Sequence, residues 1–216
     1  QYTLIIDKDP ALLFYSSFGH NSLNYDCTRI FYIDDNSRPD HLACDFAFTF
    51  DFSLNKKHFR LPLYSIYIDH HHMLPKLTQK KLRHQAALEW KQKSKFCCMV
   101  VSNPDCKQRI DFFKNLSKFK QVDSGGRVLN NVGGRVLNKA TFIKDYKFVI
   151  AFENSNKEGY TTEKILEPIL QDCIPIYWGN KLVDKDFNSK RFINYHQLET
   201  EEDVINRILE IDQNDN

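Results

Sequence analysis

The polar residues with the clearest chemical pattern lie in residues 146–179, YKFVIAFENSNKEGYTTEKILEPILQDCIPIYWG. This run is typical of a strand, a polar loop, a helix and a second strand. Ligands of open α/β sheets bind outside the carboxyl ends of the strands, where this loop would lie. Acidic groups there can hold hydroxyls, and a lysine beside them can hold a phosphate. The pattern suits a sugar-nucleotide site, and its candidate residues are Glu153, Asn154, Tyr160, Glu163 and Lys164.

The same run resembles the donor-binding signature of the α1,3-fucosyltransferases, nearly residue for residue. That signature is an FEN(S/T) strand end, a Tyr, TEK at the start of a helix, and a final (I/V)PIYWG strand. The chain has FENS, Tyr160, TEK and IPIYWG in the same order. The resemblance implies an α/β fold of the GT-B type, with two Rossmann-like domains and a cleft between them.

A transferase of this kind must stabilise the departing diphosphate as it gains charge. Arg109 follows the turn SNPD, and Lys164 falls in the first turn of a predicted helix. Arginine suits bidentate contact with phosphate, and a lysine at a helix N-terminus opposes the helix dipole, which indicates an anion to hold. Taken alone, Arg109 would be interpreted as a solvated residue on a helix. The resemblance places both residues on family positions that contact the diphosphate.

The resemblance implies binding roles for three further residues. Glu163 falls on the Glu of TEK, which in the family holds fucose or ribose hydroxyls. Asn154 and Tyr160 fall on family positions that face the nucleotide. Structural roles stay open beside these, because Glu163 is a favourable acid for a first helical turn and Tyr160 could pack.

The amino-terminal half resembles the same family at residues 29–52, RIFYIDDNSRPDHLACDFAFTFDF, and at residues 59–64, FRLPLY. The corresponding family patterns are R-(I/V)-F-Y-T-G-E-N, then Pro-Asp and D-(Y/F)-A, and finally R-(M/L)-P-L-Y. The family places its proposed catalytic base at the Glu of Gly-Glu-Asn. Asp35 occupies that position here, and Asp34 replaces the glycine. The departure leaves a carboxylate, but a shorter one on a less permissive backbone.

The elements that must position these residues follow from short apolar runs that alternate with helical stretches, as in parallel α/β proteins. Strands are predicted over residues 3–6, 11–15, 29–33, 46–52, 96–102, 120–122, 147–153, 173–178 and 192–195. Helices are predicted over residues 105–119, 162–171 and 201–211, with a long helix or a helix pair over 73–95. Pro75 fits only near a first helical turn, and Pro168 should kink its helix unless it starts a new one.

Composition narrows the class of protein. The chain has 216 residues with 30 basic and 28 acidic side chains, and this balance gives no reason to expect nucleic acid as a partner. Six cysteines are present without a C-x-x-C pair, so the usual zinc spacing is absent and reduced, packed thiols are expected. No signal peptide and no apolar run of about 18 residues is visible.

Three lesser patterns have ordinary interpretations. The hexapeptide GGRVLN occurs at residues 125–130 and 133–138, where it is either a flexible turn or a weak anion-binding loop. The triplet at residues 70–72 is a run of three histidines that is expected to be solvated, because adjacent side chains point in different directions. The outline of a D-x-D metal motif at Asp184 and Asp186 is discounted, because it does not follow a predicted strand.

The resemblance implies an acceptor-side domain over residues 1–92, without the family's first strand and helix, and a GDP-fucose domain over residues 93–216. It also implies inverting transfer of L-fucose from GDP-fucose to an N-acetyllactosamine-type glycan in an α1,3 linkage. Asp35 would accept the acceptor proton. The chemistry is expected to need no metal or other cofactor, with a divalent ion as an optional stimulant.

Two alternatives stay open at this stage. One is the same scaffold with another nucleotide sugar or acceptor, and the other is a degenerate protein that binds sugar nucleotides or glycans without turnover. The expected partners are GDP-fucose and an oligosaccharide acceptor, with peripheral membrane contact left open and the oligomeric state undetermined. A cytoplasmic location at the inner membrane face is expected, with the Golgi lumen as the alternative if an anchor has been removed.

Overall fold

The structure is a computed structural model and describes residues 8–19 and 21–214. These residues contain two parallel β-sheets. The first sheet has the order β1-β2-β3-β4, and its strands are Leu12–Tyr15, Thr28–Tyr32, Phe46–Thr49 and His58–Arg60. The second sheet has the order β6-β5-β7-β8-β9, and strands β5 to β9 are Lys95–Met99, Val122–Ser124, Tyr146–Phe152, Ile174–Trp178 and Ile193–Asn194.

Seven α-helices accompany the sheets in the described part of the chain. Helices α1 to α3 lie between the two sheets in sequence and are Leu63–His70, Leu74–Thr78 and Arg83–Gln92. Helices α4 to α7 belong to the second half and are Lys107–Ser117, Lys139–Ile143, Glu163–Leu170 and Glu201–Gln213. Short 3-10 turns occur at Ser22–Asn24, Val183–Lys185, Ser189–Arg191 and Tyr195–Gln197.

The strand order of the second sheet creates a binding crevice. Numbered along the chain, its strands run 2-1-3-4-5, and the connections leave β5 and β7 in opposite directions. A crevice therefore opens at the carboxyl ends of β5 and β7, which is where ligands bind in sheets of this order. The main core lies beneath it, with fully buried side chains from both central strands and from α4, among them Met99, Phe112, Leu116, Phe148 and Phe152.

Most predicted elements of the second half are present with small shifts at their ends. The strand expected at residues 120–122 lies instead at Val122–Ser124, where Val122 is buried and pairs with β5. The segment at residues 73–95 is a helix pair, and Pro75 lies in the first turn of α2, the position that suits proline. Pro168 lies within α6 near its carboxyl end, and the helix continues to Leu170.

The first half departs further from the sequence analysis. The strand predicted at residues 46–52 ends at Thr49, and the short elements β4 and α1 were not predicted. No α-helix joins β1 to β4 within the described residues, so the alternation with helices holds only for the second sheet. The strand predicted at residues 3–6 lies outside the described residues.

One face of the first sheet is apolar and exposed. Neighbouring strands place Phe14, Ile30, Phe46 and Phe59 on this face, and Phe14 is 59% exposed while Phe59 is 45% exposed. The opposite face is the packed one, with Phe31 and its neighbours buried. Strands of parallel sheets are usually buried on both faces. The apolar runs of this half are an exception, because one face of their sheet is exposed.

The repeated hexapeptide occupies two different environments. A Cβ at Gly126 would lie 1.9 Å from the carbonyl oxygen of Val101, so the first copy packs directly on the segment after β5. A Cβ at Gly133, in the second copy, would meet nothing within 4 Å. Asn130 ties the copies together, because its Nδ2 donates to the carbonyl oxygens of Gly126 (2.8 Å) and Gly134 (2.9 Å). A structural role is thus favoured for the first copy.

The six cysteines form no disulfide, and four of them are buried. Burial raises the pKa of the Cys97 and Cys98 thiols well above the usual value, so both are neutral packing groups. None of the helices within the described ranges has the length and apolar character to cross a membrane.

Candidate active site

Arg109 lies on the buried face of α4, at the crevice between β5 and β7. It begins a helical stripe, because Phe112, Phe113 and Leu116 follow at spacings of three, four and seven residues and are all buried. The side chain of Arg109 is 0% exposed. The expectation that such an arginine would be solvated, if considered alone, is therefore wrong, because the residue occupies the face of the helix that packs on the sheet.

The guanidinium of Arg109 holds the two segments that follow β5 and β7. It donates to the carbonyl oxygens of Phe152 (2.9 Å) and Asn103 (2.9 Å) and to Oδ1 of Asn154 (3.2 Å). None of these acceptors is charged, and Nε has no partner among the described residues. Burial lowers the pKa of Arg109, but arginine stays protonated in proteins. The crevice thus contains a buried positive charge without a carboxylate bound to it.

Lys164 and Glu153 form a second charged group at the start of α6. The Nζ atom of Lys164 lies 3.3 Å from Oε2 of Glu153 and 3.0 Å from Oγ1 of Thr162. Glu153 is fully buried and accepts hydrogen bonds from the Thr162 backbone N–H (2.7 Å) and hydroxyl (2.8 Å). Burial would lower the pKa of Lys164, but the carboxylates of Glu153 and Glu163 outweigh it and raise the pKa. Lys164 is therefore an ammonium ion aimed at the helix N-terminus.

Gly179 makes room for this buried carboxylate. A Cβ at Gly179 would lie 2.6 Å from Cγ of Glu153, and its φ of 151° is one that other residues rarely adopt. The glycine that ends the IPIYWG strand is therefore required by the position of Glu153 on the neighbouring strand.

Glu163 and Asn154 border the same crevice. Oε1 of Glu163 lies 3.8 Å from Nζ of Lys164, and Glu163 is half-buried. Asn154 is exposed, and its Oδ1 accepts a hydrogen bond from Arg109. The structure therefore brings Arg109, Asn154, Glu163 and Lys164 together around one opening, as the sequence analysis predicted from the motif.

Tyr160 joins the two halves of the chain. Tyr160 is 3% exposed, and its ring lies edge-on to that of Phe50, with the ring centroids 5.0 Å apart. It therefore has the packing role that the sequence analysis left open beside nucleotide binding. Its hydroxyl donates to Oδ1 of Asp35 at 3.4 Å. Burial, reinforced by Glu153 and Asp35, raises the pKa of Tyr160, which keeps the phenol protonated and able to donate. Asp35 is otherwise exposed, with a hydrogen bond from the backbone N–H of Asn36 (2.7 Å).

Asp186 of the D-x-D outline forms an ion pair with an arginine. Both carboxylate oxygens of Asp186 accept from the guanidinium of Arg60, at 3.0 and 2.6 Å, and Asp184 is exposed. Within the described residues, no group of three or more His, Cys, Asp or Glu side chains could hold a metal ion.

Thr162 and Arg60 also contribute to this region, although the sequence analysis did not identify them as candidate site residues. Thr162 is the N-cap of α6 and holds Glu153 and Lys164 in place. A threonine directly before an acidic first turn was a signal for that role. Arg60 had no comparable local signal, because its partner Asp186 is 126 positions away.

Two parallel β-sheets in one α/β chain define the GT-B fold type that glycosyltransferases share. Residues 90–216 match the carboxyl-terminal domain of glycosyltransferase family 10 (fucosyltransferase), and residues 1–67 match the amino-terminal domain of the α-(1,3)-fucosyltransferase FucT. The chain belongs to glycosyltransferase family 10, and the resemblance seen in its motifs is confirmed.

Individual relatives agree with this membership. The chain is 31% identical over 243 residues to the α-(1,3)-fucosyltransferase FucT of Helicobacter pylori, an alignment that covers 96% of this chain. It is 36% identical over 149 residues to a putative fucosyltransferase of Acanthamoeba polyphaga mimivirus, which covers 63% of this chain. The human GDP-fucose protein O-fucosyltransferase 3 is 30% identical over 150 residues, which cover 62% of this chain.

Solved structures extend the likeness to three dimensions. A crystal structure of an α1,3-fucosyltransferase matches 96% of this chain with a TM-score of 0.84 and 29% identity. A second one, determined with GDP-fucose, matches 94% of this chain with a TM-score of 0.80 and 30% identity. These alignments cover 67% and 66% of the crystallised chains.

The chain is shorter than its relatives. It spans 50% of the length of the Helicobacter pylori enzyme, 24% of the mimivirus protein and 30% of the human protein.

Proposed function

We propose that this chain transfers L-fucose from GDP-fucose to a hydroxyl of an N-acetyllactosamine-type glycan, with inversion and an α1,3 linkage. Membership of family 10 and the likeness to α1,3-fucosyltransferase structures support fucosyl transfer from GDP-fucose. The choice of acceptor class and linkage rests on the motif resemblance and on the name of the Helicobacter pylori relative.

The buried guanidinium of Arg109 is the observation that carries the proposal. It lies where the strand order opens a crevice, and its hydrogen bonds go to neutral acceptors. A buried charge without a counterion is costly. A diphosphate in the crevice would supply a negative charge for Arg109, and the ammonium of Lys164 would face the same anion.

In the proposed reaction the acceptor oxygen forms a bond to C1 of fucose as the bond from C1 to the diphosphate oxygen breaks. The Asp35 carboxylate accepts the proton of the acceptor hydroxyl, and GDP departs with the bonding electrons. Lys164 and Arg109 stabilise the charge that develops on the leaving diphosphate. Glu163 and Asn154 orient the donor, and the hydroxyl of Tyr160 holds the Asp35 carboxylate in place.

The test is a transfer assay with the full chain, GDP-fucose and N-acetyllactosamine, followed by measurement of released GDP and of product mass. The expected product is the acceptor plus one deoxyhexose, and linkage analysis should give α1,3. GDP-mannose and UDP-galactose serve as donor controls. Calorimetric binding of GDP without any GDP release would make the chain a sugar-nucleotide-binding protein, and turnover with a control donor alone would reassign the donor.

A further inference from the structure

Arg60 is a charged residue that contacts both halves of the chain. It is the last residue of β4, and its guanidinium binds both oxygens of Asp186 at 3.0 and 2.6 Å. Only 21% of the Arg60 side chain and 7% of the Asp186 side chain are exposed. The guanidinium also lies over the ring of Phe52, 4.2 Å from its centroid. Such a planar, bidentate pair holds orientation as well as charge.

The remaining donors of Arg60 bind two backbone carbonyls at the junction of the halves. Nε donates to the carbonyl oxygen of Phe50 at 3.1 Å, and one terminal nitrogen lies 3.4 Å from that of Gly159. The two segments are in direct contact there, because a Cβ at Gly159 would lie 2.5 Å from the Phe50 carbonyl oxygen. One guanidinium therefore binds both sides of a close backbone contact.

This contact lies next to the residues that meet across the cleft. Gly159 precedes Tyr160, whose ring packs on Phe50 and whose hydroxyl donates to Asp35. The position of the Tyr160 hydroxyl therefore depends on how closely residues 159 and 50 approach each other. A misplacement of about 1 Å in a reacting group can slow catalysis by about 100-fold.

We propose that Arg60, held by Asp186, is a positioning residue that sets the distance between Asp35 and the donor loop through Gly159 and Tyr160. The inference rests on the proposed function for its kinetic consequence. It also assigns a role to Asp186 of the outlined D-x-D motif, as the anchor of Arg60. Lysine cannot replace arginine here, since an ammonium lacks the planar fork that reaches Asp186 and both carbonyls.

The kinetic test compares Arg60→Lys with wild type in the transfer assay, with calorimetric GDP binding measured in parallel. The turnover number should fall by about 10- to 100-fold, while GDP affinity stays near wild type because Arg109 and Lys164 are untouched. Arg207→Lys is the matched control, since Arg207 forms an exposed pair with Glu210 away from the crevice, and it should leave turnover unchanged. Wild-type turnover in Arg60→Lys would overturn the proposal.

A double-mutant cycle tests whether Arg60 acts through Tyr160. In a Tyr160→Phe background, Arg60→Lys should cost much less turnover than it costs alone, because the contact that it positions is already lost. Equal costs in both backgrounds would show that Arg60 does not act through Tyr160 and would overturn the proposal. Asp186→Asn removes charge but keeps one acceptor oxygen, so it replaces Arg60→Lys in the cycle if that variant does not fold.

Amide hydrogen exchange provides a readout that needs no activity. Arg60→Lys should speed exchange in residues 154–162 several-fold and leave residues 96–102 unchanged, because only the first segment is bound by Arg60. Unchanged exchange in residues 154–162 would contradict the proposal. If wild-type protein shows no fucosyl transfer, the proposed function fails, and the exchange experiment still decides whether Arg60 positions this loop.

Discussion

Lys164 and Arg109, the two cations of the donor crevice, differ in solvent exposure. Lys164 is 18% exposed at its side chain, and its ammonium contacts Thr162 and Glu163 at the start of α6 as well as the buried carboxylate of Glu153. Arg109 is wholly buried and holds the backbone after both central strands. We therefore assign direct phosphate binding chiefly to Lys164, and to Arg109 a fixed positive potential together with the position of Asn154.

Lys164→Ala should weaken GDP binding by about 10- to 100-fold, because it removes a charge-assisted contact worth about 1.5–3 kcal/mol. Its melting temperature should also fall, because the buried carboxylate of Glu153 would lose its ammonium partner. Arg109→Ala should weaken binding as well and also lower the melting temperature, since the carbonyls of Phe152 and Asn103 would lose their donor. Calorimetry and thermal unfolding measure both effects. Arg207→Ala removes an exposed pair with Glu210 and serves as control; wild-type GDP affinity in Lys164→Ala would exclude Lys164 from the site.

The carboxylate at Asp35 provides the second prediction at this scale. Asp35→Asn keeps the shape and removes the base, so turnover should fall by about 10²–10⁴-fold with GDP affinity near wild type. Asp35→Glu should exceed the Asn variant, and it should equal or surpass wild type if the backbone has not compensated for the shorter side chain.

Asp34→Asn is the control for Asp35, because it removes the neighbouring exposed carboxylate, whereas the carboxylate bound to Tyr160 belongs to Asp35. Steady-state kinetics of the three variants should separate the two residues. Normal turnover in Asp35→Asn, or severe loss in Asp34→Asn, would move the base elsewhere.

Among the elements, α6 connects sequence to chemistry most directly. Its N-cap Thr162 closes the first turn, accepts from the Lys164 backbone N–H and ammonium, and donates to the buried Glu153. Burial raises the pKa of Glu153, while Lys164 and the hydrogen bonds from Thr162 oppose that rise. The side chain of Thr162 therefore both caps the helix and holds the charged groups of Glu153 and Lys164.

Thr162→Ala should cost about 1 kcal/mol of folding free energy, as loss of an N-cap usually does, and lower the melting temperature by about 2–4 °C. Thr200→Ala is a matched control, because Thr200 caps α7 with hydrogen bonds to Asp203. Thr162→Ala should lose more stability than Thr200→Ala, because it also removes a donor to the buried Glu153, and only Thr162→Ala should weaken GDP binding. Equal GDP affinity in the two variants would restrict Thr162 to a purely structural role.

At the scale of the whole molecule, the two halves contribute different cations to the region of the proposed diphosphate site. Arg109 and Lys164 belong to the second half, and Arg60 anchors the first half to Asp186. Asp186, one of the two acids in the D-x-D outline, therefore binds Arg60 and connects the two halves.

Chelation should accordingly leave most of the turnover intact. Transfer assays with and without EDTA, and with added Mn²⁺, measure this directly, and an increase with Mn²⁺ would reflect stimulation. Loss of turnover in EDTA that a divalent ion restores would show that the diphosphate needs a metal after all, and the ordinary interpretation of Asp184 and Asp186 would then be wrong.

The sequence alone determined the strand, loop and helix around Glu153 and Lys164, a helical segment over residues 73–95 with Pro75 near a first turn, and membership of the family. These features are local, because apolar spacing, caps and proline each act within a few residues. The stripe of Phe112, Phe113 and Leu116 also contained the signal that Arg109 is buried, since the arginine continues it. The short strand β4 and helix α1 escaped prediction because three and eight residues leave little periodicity to detect.

Only the tertiary structure decided which charges meet. Asp35 and Tyr160 are 125 positions apart, and Arg60 and Asp186 are 126 apart. Such pairs form only when the two halves pack together, so no spacing along the chain encodes them. The same holds for Gly179, whose missing side chain is explained by Glu153 on a neighbouring strand. Residue types and short-range order thus indicated the chemistry, while packing between distant segments established the partners, burial and charge state of the groups that would perform it.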